Sequence, residues 1–122
     1  MLDFLNFESS RENIGVVKAS VHKSGKLGFS SGAQHKMKID SNKYYKVGFN
    51  DSDENDESIY LVETNSEDVD AFKANKAGNY YYLRLKHVFE KRNISYKDGG
   101  IIYDIYELEK ENIKYYKLKR RK

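Results

Sequence analysis

Apolar positions in this chain follow two periods in turn. Ala19 and Val21 alternate with Ser20 and His22, and beyond Gly25 a second run carries Leu27 and Phe29. Alternation of this kind is the period of a half-buried strand, and a glycine between two such runs predicts a tight hairpin, because glycine alone takes positive φ without steric cost. Ala33 and Met37 then stand four apart, the spacing of a short helix, with Ser31 placed as its N-cap. Tyr45, Val47 and Phe49 predict a third strand, and after an acidic connection Ser58-Ile59-Tyr60-Leu61-Val62 predicts a fourth.

The same order then returns. Gly78 follows Gly25 by 53 positions, with Phe72 and Ala74 alternating before it and Tyr80 and Tyr82 after it. Leu85, Val88 and Phe89 sit at i, i+3 and i+4, with Asn93 as a C-cap, and Ile94 answers Ile39 after the first helix. Ile101, Tyr103 and Ile105 predict the next strand and Ile113 to Leu118 the last. The chain therefore reads as a β-β-α-β-β unit used twice. About fifty residues cannot bury a full core alone, so the units are expected to interlock as one domain. The expected fold class is mainly β with two short helices, a pseudo-twofold barrel. Its parts are an N-terminal strap over 1–14, a first repeat over 15–65, and a second over 66–122 ending in a basic tail.

Composition narrows the class. The 122 residues are enough for one domain and exclude a multidomain enzyme, while 11 Tyr and 6 Phe exclude intrinsic disorder. The absence of Cys excludes a disulfide framework and thiolate metal sites, and fits a reducing cytoplasm. Apolar runs are too short to span a membrane, and Met1-Leu2-Asp3-Phe4 lacks the basic start of a signal peptide.

The net charge of +3 conceals blocks: −2 over 1–14, +6 over 15–49, −9 over 50–70, +6 over 71–97, −4 over 98–113 and +6 over 114–122. The stretch Asn50 to Glu57 has no apolar residue and reads as a solvated loop. It opens like a calcium loop, but Asp56 stands where glycine is needed and Val62 where the bidentate glutamate belongs. His22, His35 and His87 are more simply explained by duplication than by a metal site, and no nucleophile or phosphate-loop motif is present. Neither catalysis nor a cofactor is expected. Adjacent tyrosines, Tyr44-Tyr45, Tyr80-Tyr81-Tyr82 and Tyr115-Tyr116, must point to both faces of their strands, so one member of each group is expected in the core and another at the rim.

The first hairpins are the functional candidate. Lys18, Ser20 and His22 lie opposite the core face of one, Lys73 and Asn75 opposite that of the other, with Lys23, Lys26 and Lys76 at the turns and Arg84 nearby. Paired cationic hairpins would meet the phosphates of a duplex and release counterions.

A hairpin around an xGx turn, a short helix and two closing strands resemble the AbrB/SpoVT/MazE swapped-hairpin family. The second copy carries this through Ala74-Asn75-Lys76-Ala77-Gly78-Asn79-Tyr80, and the first through Val21-His22-Lys23-Ser24-Gly25-Lys26-Leu27. Two copies in one chain are similar to the arrangement of MraZ proteins. The usual helix-opening proline is missing, and lysine stands where the family reads DNA with arginine. The resemblance implies a small cytoplasmic, non-enzymatic DNA-binding protein, a transcriptional regulator or antitoxin-like factor, with double-stranded DNA held by Lys18, Lys23, Lys26, Lys73, Lys76 and Arg84, and Arg120 and Arg121 of the tail adding a flexible contact. Such a body is a monomeric pseudo-dimer or a homodimer. The competing expectation is a protein-interaction module, an accessory factor of a phage or mobile element, docking through the acidic 51–57 loop or Leu2-Asp3-Phe4-Leu5-Asn6-Phe7.

Overall fold

A computed structural model describes residues 17–121. The strap expected over 1–14, with the apolar segment Leu2 to Phe7, lies outside the described residues.

The first hairpin joins β1 (Lys18–Val21) to β2 (Lys26–Phe29). Its turn needs Gly25 for two reasons: φ is +87°, and a Cβ there would stand 2.4 Å from the Cβ of Lys86. The helix α1 (Ser31–Met37) follows at once. Its N-cap is Ser30, one residue earlier than the sequence suggests. Ser30 keeps an extended backbone, and its hydroxyl accepts from the N–H of Ala33 at 3.2 Å and from that of Lys18 at 3.1 Å. The cap thus ties helix to hairpin.

Both helices end alike. Lys38 after α1 and Asn93 after α2 (Lys86–Lys91) take left-handed φ of 54° and 58°. The next N–H, of Ile39 or Ile94, then reaches back to Gln34 O (3.0 Å) or Phe89 O (2.8 Å), the six-to-one bond of a Schellman motif. The isoleucine after each cap turns inward onto the core.

The remaining strands are β3 (Tyr44–Gly48), β4 (Ile59–Thr64), β5 (Phe72–Lys73), β6 (Asn75–Ala77), β7 (Tyr80–Arg84), β8 (Ile102–Lys110) and β9 (Ile113–Arg120). All pairings are antiparallel, in the order β5-β3-β4-β9-β8-β1-β2-β7-β6. The hairpin β1-β2 of the first unit lies between β8 and β7 of the second, and β5, β6 and β7 of the second lie between β3 and β2 of the first. The units have exchanged hairpins, and β4 pairs with β9 on the far side.

The chain itself nearly closes the barrel. Between 72 and 77 it changes partner: Phe72 and Lys73 pair with β3, whereas Asn75 to Ala77 pair with β7. At the crossing Ala74 is wholly buried and its N–H donates to Lys43 O at 2.9 Å. Near-closure leaves little of the free edge that open sheets must otherwise protect.

One core fills the barrel, drawn from both units: Ala19, Leu27, Phe29 and Leu61 of the first meet Leu83, Phe89, Tyr103 and Leu118 of the second. Tyr45 and Tyr116 are buried while Tyr44 and Tyr115 are half-exposed, as alternation requires. The Tyr45 hydroxyl is buried without a hydrogen-bond partner among the described residues. Among the described residues no helix is long and apolar enough to cross a membrane.

Candidate nucleic-acid interface

Strand register decides which side chains share the outer face of β1, β2, β7 and β6. Leu27 pairs with Leu83 and both are buried, so their neighbours Lys26, Gly28, Tyr82 and Arg84 point outward. Lys26 lies directly opposite Arg84 and Gly28 opposite Tyr82. His22 adjoins Lys26 through its N–H, which donates to Lys26 O at 2.9 Å. The result is a row across three strands, His22, Lys26, Arg84, with neighbouring strands about 4.8 Å apart.

Tyr82 holds two of these cations. The Nζ of Lys26 stands 4.5 Å from its ring centroid, and the Arg84 guanidinium 5.8 Å away while donating to the phenol oxygen at 3.3 Å. Tyr80 packs beside it with ring centroids 5.6 Å apart. Though it faces away from the core, Tyr82 is therefore buried, 5% exposed. The Arg84 hydrogen bond, and then the charges of Arg84 and Lys26, hold its phenol below the usual tyrosine range. Stacked cations lose little side-chain freedom when they meet an anion.

Gly28 floors a depression of about 290 Å³ beside this cluster, lined by Lys18, Ser20, His22, Ser30 and Tyr80. A Cβ at Gly28 would fall 2.6 Å from Tyr80 and 2.7 Å from His22, so glycine alone lets the two rings close over the strand. His22 Nε2 and Tyr80 OH are 3.0 Å apart.

The two turns differ and point in opposite directions. The first has three residues, Lys23 to Gly25, and the second two, Gly78 and Asn79. Because β2 and β7 are antiparallel, the Gly25 turn adjoins the Lys26 and Arg84 row and the Gly78 turn the opposite end, about 13 Å along the strands. Lys23 thus joins Lys26 and Arg84, and so does Lys86, which packs on Gly25 and which no local pattern marked. Lys73 is exposed on β5, two residues from Asn75, the partner of Tyr82. Lys76 falls on the other side of its strand at the far end, with its Nζ 6.0 Å from the Tyr81 ring.

The other cations face carboxylates. Lys18 pairs in register with Asp104, and Arg121 forms an ion pair with the same carboxylate, holding it below its usual range. Arg120 lies opposite Tyr103 and lines a cavity of about 410 Å³ with Asp51, Asp53, Glu54, Asp56 and Glu57. The tail arginines are therefore part of other electrostatic neighbourhoods. By contrast, segments 15–39 and 71–89 contain no Asp or Glu. Ion pairs among the described residues fall on Lys36, Lys43, Lys46, Arg92, Lys114 and Arg121, and none on Lys26 or Arg84.

The acidic loop is tied inward. Asp51 pairs with Arg92, and Asp56 accepts from Tyr60, Ser58 and Asn50. His87 stacks on Phe72 at 5.6 Å, and among the described residues no cluster of His, Asp and Glu is placed to hold a metal. No protein-family model, curated protein or solved structure matches this chain.

Proposed function

We propose that this protein binds double-stranded DNA through the outer face of β1, β2 and β7, as a small non-enzymatic regulator of the swapped-hairpin kind that its sequence resembles, acting in the cytoplasm. The observation that carries this reading is the Lys26–Arg84 pair: adjacent across two strands, stacked on Tyr82, and without an ion-pair partner among the described residues, where six other described cations have one. Lys23 and Lys86 at the Gly25 turn, with Lys73 on β5 just before β6, enlarge the same positive field. Backbone phosphates are the chemical match, since closely spaced cations gain most from an equally spaced polyanion. The buried Tyr82 ring favours phosphate contact over base stacking, because its face is already covered by its own cations.

The test is fluorescence anisotropy with a random-sequence duplex and a single strand of equal length, at 50 and 200 mM salt. Duplex binding that weakens steeply with salt supports the reading. No salt-sensitive binding at 50 mM refutes it, and preference for the single strand moves the site to stacking chemistry.

A further inference from the structure

The outer face of β4, β9 and β8 lies apart from the hairpin face, separated from β2 and β7 by β1 on one side and by β3, β5 and β6 on the other. Ile59, Leu61, Ile105, Tyr116 and Leu118 of these strands are buried, so the residues that alternate with them turn outward. Tyr60 of β4 and Tyr106 of β8 each lie directly opposite Lys117 of β9, which makes a row of ring, cation and ring about 10 Å long. In the next row Tyr115 lies opposite Leu108, and its ring centroid stands 6.3 Å from that of Tyr60. Lys110 and Ile113 close the face at the hairpin tip.

This face differs from the hairpin face in two ways. Its rings are open: Tyr106 is 49% exposed and Tyr60 and Tyr115 are half-exposed, whereas Tyr82 is covered by its own cations. Its acids are already engaged, Asp104 by Arg121 and Asp56 by the Tyr60 hydroxyl, while Lys110 and Lys117 have no ion-pair partner among the described residues. An anion therefore fits better than a second copy of this chain, which would bring like lysines into one symmetric contact. Among polyanions, a single nucleic-acid strand also offers flat ring faces, which in a duplex are paired and stacked inside. Leu108 and Ile113 beside the rings give a 2′-hydroxyl no hydrogen-bond partner, which favours deoxyribose.

We infer that the outer face of β4, β9 and β8 is a second site that takes single-stranded DNA, with bases stacked on Tyr106, Tyr115 and Tyr60 and phosphates drawn to Lys117 and Lys110. It shares no residue with the hairpin face and stands independently of the duplex reading. Together the two faces would hold a duplex and an unpaired strand on opposite sides of one barrel.

Anisotropy of an end-labelled oligothymidine of about 12 nucleotides tests this, using the full chain with Lys26→Ala and Arg84→Ala so that the hairpin face is silent. Salt-sensitive binding is expected to persist in that parent. Adding Tyr106→Ala should weaken it about tenfold, the worth of one modest base stack, while Tyr106→Phe keeps the ring and should stay within about twofold. Lys117→Ala should lower the salt slope by about 0.7. Melting temperatures within a few degrees of the parent's report an intact fold. Absence of salt-sensitive binding in the parent overturns the inference, as does a Tyr106→Ala variant that binds as the parent does. Oligouridine bound as tightly as oligodeoxyuridine, or more tightly, assigns the face to RNA and overturns it too. So does a dimer in light scattering that Tyr106→Ala dissolves, which assigns the face to a second copy. None of these results touches the duplex titration, which reads the hairpin face in the unaltered chain.

Discussion

Replacing Lys26 and Arg84 together by alanine gives the sharpest measure of the interface. Five cations without a facing carboxylate lie on or beside the acid-free hairpins: Lys23, Lys26, Lys73, Arg84 and Lys86. If each neutralises one phosphate, the logarithm of the binding constant falls against the logarithm of salt with a slope of about −4.5, or roughly 500-fold between 50 and 200 mM. Removing two contacts should reduce that slope by about 1.8 and the loss to about 40-fold. The control is Arg121→Ala, because Asp104 already neutralises that guanidinium. Its slope should change by well under one. Anisotropy titrations at four or five salt concentrations give all three slopes. Equal slopes for the double variant and the unaltered protein would refute the placement of phosphate at the Lys26–Arg84 row, and a larger effect from Arg121 would move the interface to the β8-β9 end.

The other predictions concern the fold. Tyr45→Phe removes a buried hydroxyl that has no partner among the described residues, so stability should rise by about 1 kcal/mol and the melting temperature by a few degrees; a lower melting temperature contradicts that account. Gly25→Ala combines φ of +87° with a Cβ 2.4 Å from Lys86 and should cost about 3 kcal/mol in a denaturant melt, whereas Gly48→Ala meets nothing within 4 Å and should stay within about 0.5 kcal/mol. Hydrogen bonds from Tyr60 first, then from Ser58 and Asn50, hold the Asp56 carboxyl well below its usual range. Its contribution to stability is thus present above the ordinary aspartate pKa of about 3.9 and is lost as pH falls below that toward the depressed value. The same Asp56 bond pushes Tyr60 up to about 12, so the stability it lends is full below about 10 and fades as pH rises toward 12. Absorbance titration at 295 nm should find that tyrosine lowered in Asp56→Asn, though burial still raises it; an unmoved value would show that the bond is not the cause.

Much of the fold was legible because each element obeys a local rule. The alternation around Ala19 and Val21 marked a strand since side chains on a pleated backbone point to opposite faces, and Gly25 marked its turn since no other residue takes that φ cheaply. Asn93 marked the end of α2 for the same steric reason. The helix start was misplaced by one residue because Ser30 and Ser31 are equally good caps by composition, and only the bond from Lys18 N–H selects Ser30. The split of the strand at Ala74 had no local signal, because it comes from two different neighbours competing for one segment.

The candidate site divides in the same way. Lys18, Lys23, Lys26, Lys73, Lys76 and Arg84 could be placed on hairpins from spacing alone, and the absence of acids around them is a property of the chain. Which of them stand together is a matter of register between strands more than fifty residues apart. The pairing of β2 with β7 brings Lys26 to Arg84, buries Tyr82 beneath them and sends Lys76 to the opposite end. Lys86 enters through its contact with Gly25, and Arg120 and Arg121 leave through Asp104 and the acidic loop. The amino-acid order determined two β-β-α-β-β units and the sign of their charge, because periodicity and turn chemistry act between near neighbours. Only the nearly closed barrel decided which charges meet, because antiparallel register and the interleaving of hairpins are set by burying one core from both halves.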